Sequence, residues 1–213
     1  MTDWWNKNVE VRIDDFKSWV GDYNKASKVY CRKYIADKQY KTIIDCGCGM
    51  ATDYNGFKKD NYKIDYTGLD SCRFFIDINA AHGIKMINAE LEKDLRIVSN
   101  SYDVVYCREV LEHLNGYEKC LSELIRIGIK EVIIVFFIKP AEEDDKINYW
   151  ESEDLYHNKY NKDKLEKFIN DNPKVDKLFW VDVEDSNYVK QLDDTDQPPP
   201  EVITKSILHI LLK

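Results

Sequence analysis

Thr42-Ile43-Ile44-Asp45-Cys46-Gly47-Cys48-Gly49 is the stretch that decides how this chain is read. A short apolar run ends in an acid and then in two glycines one residue apart. Ile43 and Ile44 together predict a strand buried on both faces, as in a parallel sheet. Gly47 and Gly49 allow a sharp turn and let the backbone approach a ligand with no Cβ in the way. The segment from Ala51 to Lys59 predicts a helix whose first N–H groups face that ligand. The pattern is therefore strand, glycine turn and helix, with the carboxylate of Asp45 at the strand tip.

The dinucleotide fingerprint G-x-G-x-x-G asks for a third glycine, and here that position is Thr52. A nicotinamide-dependent reductase is accordingly the weaker reading of the turn. The next unit, Tyr62 to Asp70, alternates and again ends in an acid. Asp70 stands one βαβ unit beyond Asp45, and an acid at this place can accept hydrogen bonds from both ribose hydroxyls of an adenosine ligand. Ser71 is expected to cap a helix with Phe74, Phe75 and Ile78 inward, closed by Gly83. A third strand, Ile84 to Glu90, carries Asn88, Ala89 and Glu90 at its tip. A fourth, from Ser101 to Arg108, runs into Glu109-Val110-Leu111-Glu112-His113-Leu114.

These four elements together resemble the class I S-adenosylmethionine-dependent methyltransferases, over residues 42 to about 138. The resembling features are Asp45-x-Gly47-x-Gly49, Asp70, Glu90 and the Asp-Val-Val strand followed by Val-Leu-Glu-His-Leu. The resemblance implies a Rossmann-like α/β three-layer sandwich. Its sheet would have seven mostly parallel strands with an antiparallel C-terminal strand. It also implies S-adenosylmethionine as cofactor, held by Asp45, Gly47, Gly49, Asp70, Ser71, Asn88, Ala89, Glu90, Cys107 and Arg108. In many relatives a basic residue near the N-terminus holds the cofactor carboxylate; Lys28 and Arg32 are exposed candidates here.

Bulk properties exclude several alternatives. The chain has 213 residues and a net charge of −8, which suits one α/β domain and disfavours a partner tracked by its phosphates. No apolar run approaches the roughly 20 residues that span a bilayer. The start, Met1-Thr2-Asp3-Trp4-Trp5, lacks the basic and apolar regions of a signal peptide. A cytoplasmic protein with no nucleic-acid or membrane partner is expected. Cys46 and Cys48 lack the usual spacing of a zinc pair, and the six cysteines read as reduced thiols.

The remaining organisation follows as one domain over 1–213. Residues 1–40 form a helical cap, 41–138 the cofactor-binding core, 139–160 a lid or substrate loop, and 161–213 a C-terminal helix and strand pair. Trp4, Trp5, Phe16 and Trp19 either pack beneath the cap or line a pocket. Residues 24–37 predict a helix with Ala26, Val29, Tyr30, Tyr34 and Ile35 inward. Residues 116–127 predict an amphipathic helix, and 131–138 a buried strand. The segment 141–160 is acidic and aromatic, and Tyr149, Trp150, His157 and Tyr160 are its substrate-contact candidates. Asn161 caps a further helix. Strands at 178–183 and 206–212 close the chain around a loop, 185–204, read as mobile, and His209 reads as a core residue of the last strand.

The chemistry expected is methyl transfer to a small-molecule hydroxyl, with a sugar or glycan preferred because aromatic faces and carboxylates both suit sugar rings. His113, just past the fourth strand, is the candidate base, and Glu112 its companion. Glu109, Glu112 and His113 lie within five residues and suggest a divalent-metal site, with His157 as a further ligand. N-methylation, protein methylation and a non-catalytic cofactor-binding subunit remain open alternatives.

Overall fold

The computed structural model describes residues 4–8, 13–14, 18, 21–151, 154–186 and 202–213. The first strand, β1, is Thr42–Cys46. The next four are β2 (Asp65–Asp70), β3 (Lys85–Asn88), β4 (Tyr102–Arg108) and β5 (Gly128–Phe136). A short hairpin, β6 (Tyr149–Trp150) with β7 (Leu155–Tyr156), precedes two long strands, β8 (Val175–Ser186) and β9 (Val202–Leu212). The seven-stranded sheet has the order β3-β2-β1-β4-β5-β9-β8. Pairs among β1 to β5 are parallel, and β9 runs antiparallel to both β5 and β8. This is the α/β sheet the sequence predicts.

Paired apolar residues explain why these strands sit in the middle. Ile43, Val104 and Ile133 point to one face of the sheet, and their neighbours Ile44, Val105 and Ile134 point to the other. Each strand therefore needs helices on both faces, which short polar loops could not provide. On one face lie helices α2 (Ala26–Asp37) and α3 (Thr52–Lys59). Helix α4 (Arg73–Ala81) follows β2 and packs on β2 and β3. On the other face lie α5 (Glu118–Ile127) and α6 (Lys162–Asn170). The inward stripe predicted for α5 is buried as expected, through Tyr117, Cys120, Leu121, Leu124 and Ile125. The Asn161 side chain caps α6 by accepting the N–H of Lys164 at 2.8 Å. A short helix α1 (Trp4–Asn8) brings Trp5 against Phe75 of α4, with ring centres 6.3 Å apart.

Several expectations need correction. Helix α2 buries Ser27, Cys31, Arg32 and Ile35, while Ala26 and Val29 are exposed. Its polar inward residues have fixed partners. Ser27 donates its N–H and its hydroxyl to Asp185 of β8, at 2.7 and 2.6 Å. Arg32, expected on the surface, donates to the carbonyl of Tyr23 at 2.7 Å and to Asp60 at 3.0 Å, in space that Gly56 leaves open. The residue before α4 is Cys72, with no side-chain cap; the acceptor for its N–H is Asp70, not Ser71. Phe16, Trp19 and the side chain of Trp4 lie outside the described residues, as does most of the loop 185–204. All six cysteines are free thiols, and His209 is fully buried. No helix among the described residues is long and apolar enough to cross a membrane.

Candidate active site

The sheet order reverses at β1: the chain builds outward through β2 and β3, then returns to lay β4 on the other side of β1. Ligands of open α/β sheets bind at such a switch point, beyond the carboxyl ends of the strands. A cleft of about 450 Å³ lies there.

Its floor is the glycine turn. Gly47 has φ +78°, and a Cβ there would stand 2.4 Å from Cγ2 of Val110. The N–H groups of Gly47 and Cys48 both bond the carbonyl of Leu69, at 2.7 and 3.1 Å. Asp70 accepts the N–H of Gly49 and of Cys72, each at 2.9 Å. Asn79 of α4 donates to the Gly49 carbonyl at 2.7 Å. The acid at the tip of β2 thus braces the turn as well as facing the cleft. Burial pushes the Asp70 carboxyl up, opposed by those backbone N–H groups. An ionised carboxylate has about four acceptor positions, so the N–H groups of Cys72, Gly49 and Ser71 still leave capacity for a ligand hydroxyl. Asp45 accepts the hydroxyl of Tyr66 at 2.5 Å. Burial, reinforced by the charge of Asp53, pushes its carboxyl up to about 7.

The far wall comes from the end of β4. Arg108 is almost buried; it donates to the Tyr106 hydroxyl at 2.6 Å and to Ser27 at 3.1 Å, and its Nε lies 3.6 Å from Asp53. Glu109 holds a left-handed backbone, φ +55°, unusual for a residue with a side chain. Burial raises its carboxyl, but Arg108 and Lys205 outweigh that and hold it below the ordinary range. Lys205 is 3.0 Å from Glu109 and lies over the ring of Phe137. A 3-10 turn, Leu111–His113, then carries the imidazole. Nδ1 of His113 is 2.8 Å from the carbonyl oxygen of Tyr156. The rings of Trp5 and His157 stand edge-on to it, with centres 6.4 and 5.3 Å away.

The structure sorts the predicted residues. Asp45, Gly47, Gly49, Asp70, Ser71, Ala89, Arg108, Glu109, His113 and His157 line the cleft. Asn88, Glu90 and Cys107 are not on its wall. Glu90 pairs with Lys93 at 2.8 Å, and Cys107 is buried in the core on the α5 face. Glu112 is also absent from the cleft. Its Oε1 accepts the N–H of Phe137 at 2.5 Å and of Ile138 at 3.0 Å, where β5 has ended. The proposed Glu109, Glu112 and His113 metal triad is therefore not assembled, because the backbone leaves helical spacing at Glu109 and Glu112 turns inward. Among the described residues no group of three His, Cys, Asp or Glu side chains is placed to hold a metal ion. Tyr160 is buried, with its hydroxyl donating to the carbonyl of Leu111 at 2.7 Å. Tyr149 and Trp150 are exposed on the β6–β7 hairpin, outside the cleft wall.

Trp5, which the sequence left between the cap core and a pocket, lines the cleft, and Lys28, a candidate for the cofactor carboxylate, turns into it instead of into solvent. Met50, Asp53, Phe137 and Leu155 line it too, and the sequence reading did not place them there. Asp53 had a sequence signal, an acid in the first turn of the helix after the glycines, where backbone N–H groups converge.

Residues 44–136 match the family model described as a methyltransferase domain. A protein of Methanocaldococcus jannaschii, itself uncharacterized, is 31% identical over 98 residues, covering 45% of this chain and 39% of that one. The match thus spans less than half of the relative's length. An S-adenosylmethionine-dependent methyltransferase of Thermotoga maritima superposes with a TM-score of 0.59 at 12% identity, over 98% of this chain and 100% of that one. The magnesium protoporphyrin IX methyltransferase of Synechocystis, solved with S-adenosylhomocysteine, gives 0.58 at 13% identity, over 86% and 80%. Residues 44–136 are thus similar to a methyltransferase domain, and the seven-stranded sheet around them has the fold of these S-adenosylmethionine-dependent methyltransferases. The residues fit that cofactor: Gly47 keeps the turn open, Asp70 offers a carboxylate, and Asp53 brings a buried oxygen with no hydrogen-bond partner among the described residues.

Proposed function

We propose that this protein transfers a methyl group from S-adenosylmethionine to a hydroxyl of a small-molecule acceptor. The cofactor supplies a methyl already activated on a sulfonium, so the protein has chiefly to orient the acceptor, exclude water and receive a proton. In this reading Asp70 accepts from the ribose hydroxyls, Gly47 and Gly49 let the backbone come close, and Ala89 stands at the adenine end.

The observation that carries the hydroxyl reading is the pairing of His113 with Tyr156. A carbonyl oxygen only accepts, so Nδ1 of His113 carries the proton. In the neutral ring Nε2 is then the basic nitrogen. A base of this kind on the cleft wall suits an acceptor hydroxyl, whose proton must leave as the methyl arrives. Trp5, Phe137 and Glu109 supply the aromatic faces and the carboxylate that favour a sugar or glycan acceptor. Among the described residues of the acidic loop, only Leu155 and His157 reach the cleft, so the loop itself lends the glycan acceptor less support than its composition suggests.

Calorimetric titration of S-adenosylhomocysteine into the wild type and Asp70→Ala tests the cofactor half. The wild type should bind, and the variant should bind about tenfold or more weakly, roughly 1.4 kcal/mol. His113→Asn tests the acceptor half with a panel of hydroxylated acceptors that includes sugars. It should lower kcat and remove the acidic limb of the pH profile while leaving S-adenosylhomocysteine affinity intact. An unchanged kcat would overturn the role of His113, and turnover confined to amine acceptors would overturn the hydroxyl reading.

A further inference from the structure

His113 stands on very little structure of its own. Leu111–His113 is a single 3-10 turn, closed by the Leu114 N–H on the Leu111 carbonyl at 3.2 Å and the His113 N–H on the Val110 carbonyl at 2.9 Å. Bonds of this type have poorer geometry than those of an α-helix. What fixes the direction of the imidazole therefore has to come from elsewhere in the chain.

It comes from residues 155–160. The Tyr156 carbonyl takes Nδ1–H of His113 at 2.8 Å. Two residues on, Asn158 donates its backbone N–H to the Glu112 carbonyl at 2.9 Å and its Nδ2 to the Leu114 carbonyl at 2.6 Å. Two residues further, the Tyr160 hydroxyl reaches the Leu111 carbonyl at 2.7 Å. Carbonyls on both sides of His113 are gripped in this way. Leu155 and His157, by contrast, line the cleft. Extended chain turns successive side chains to opposite faces, so one face of this segment serves the cleft and the other the turn.

Asn158 is the centre of the grip. It is fully buried and is not on the cleft wall. Its partners settle which way the amide points. The Leu114 carbonyl only accepts, so Nδ2 faces it; the Asn148 N–H only donates, so Oδ1 faces it, at 3.0 Å. Nδ2 also donates to the Tyr160 hydroxyl at 3.1 Å, whose own proton goes to Leu111. The backbone N–H, Oδ1 and both Nδ2 protons are thus all used. An ionised Asp of the same size has no donor and a Leu has neither donor nor acceptor, so the site asks for Asn.

We infer that Asn158 is a positioning residue for methyl transfer: it holds the turn so that His113 keeps Nδ1–H on the Tyr156 carbonyl and leaves Nε2 as the basic nitrogen in the cleft. The inference rests on the proposed role of His113 as base. It gives the acidic loop a task that does not depend on touching the acceptor.

The test joins a spectroscopic arm to a kinetic one. In protein labelled with 15N-histidine, at about pH 8 where an ordinary imidazole is neutral, the His113 signals are assigned by their loss in His113→Asn. Wild type should show a protonated Nδ1 and an unprotonated Nε2. Asn158→Ala should move His113 toward exchange between the two tautomers, and Tyr160→Phe, a milder change that removes only the hydroxyl, should do so to a lesser degree. S-adenosylhomocysteine affinity, unchanged in both, reports that the cleft is folded. With an acceptor that wild type methylates, Asn158→Ala should lower kcat about tenfold or more with little change in KM. In the His113→Asn background the same substitution should lower kcat no further, because its effect passes through the imidazole. An unchanged His113 tautomer in Asn158→Ala and Tyr160→Phe overturns the inference and leaves His113 as base untouched. Equal fractional losses of kcat in the two backgrounds also overturn it, since Asn158 would then only hold the fold. A kcat unchanged by His113→Asn alone overturns the base reading itself.

Discussion

Glu112 accepts the backbone N–H of Phe137 at 2.5 Å, closing the end of β5 against the turn that follows β4. Its other oxygen, Oε2, is buried with no hydrogen-bond partner among the described residues. Burial pushes this carboxyl up to about 7. In the unfolded chain it releases its proton near 4.3. Between these values the folded state holds more protons than the unfolded state, so its contribution to stability falls as pH rises through the window. Glu112→Gln cannot titrate, and its amide oxygen can still accept from Phe137. The variant should therefore gain stability relative to wild type between about pH 4.5 and 7, and keep that gain at pH 8. Urea unfolding across this range checks it. Parallel pH dependences in the two proteins would refute the assignment. Methyl transfer should survive the substitution, because Glu112 does not reach the cleft.

Glu131 stands at the opposite end of β5, fully buried, between the Tyr40 hydroxyl at 2.6 Å and Nδ1 of His209 at 2.7 Å. Phe179 stacks on that imidazole with ring centres 4.5 Å apart. Removing Glu131 would leave two buried polar groups unpaired, which costs about 3 kcal/mol. Glu131→Ala should lower the unfolding free energy from urea denaturation by that amount. Below the midpoint its S-adenosylhomocysteine affinity should match wild type. A matching loss of affinity would mean that the two ends of the sheet are coupled.

Asp185 anchors the start of α2 by accepting both the N–H and the hydroxyl of Ser27. Asp185→Ala removes both bonds and a favourable charge at a helix N-terminus, about 2 kcal/mol. Ser27→Ala keeps the N–H bond and should lose about half as much. Thermal or chemical denaturation of the two variants gives the order, and the reverse order would contradict this picture of α2.

Gly47→Ala places a Cβ against Val110 in a backbone with φ +78°. The left-handed conformation alone costs a side chain about 1 kcal/mol. The variant should bind S-adenosylhomocysteine at least tenfold more weakly, beyond its loss of stability. Gly49→Ala has open space at its Cβ and carries only the backbone strain. It should therefore lose less stability than Gly47→Ala, which differential scanning fluorimetry can rank.

Some of this protein is written locally in its sequence. Doubled apolar residues such as Ile43-Ile44 and Val104-Val105 require cover on both faces, which means a mostly parallel sheet between helices. Gly47, Gly49 and Asp70 belong to a strand-turn-helix unit whose geometry is set by residues close in the chain, and the cleft floor was legible for that reason. The rest depended on contacts between distant segments. Arg32 reads as a surface cation, and only Gly56 and the Tyr23 carbonyl explain its burial. Glu112 reads as a ligand beside His113 until β5 ends against it with two unpaired N–H groups. Tyr160 reads as a substrate contact until its hydroxyl meets the Leu111 carbonyl. Asp53 and Lys28, 25 positions apart by their numbers, face one cleft only because α2 and α3 pack on the same side of the sheet. Hydrophobic periodicity and glycine placement act over a few residues and survive in a linear reading. The partner of a buried charge is chosen by the folded chain, because burial makes an unpaired charge costly and the nearest satisfying group can come from anywhere in the sequence.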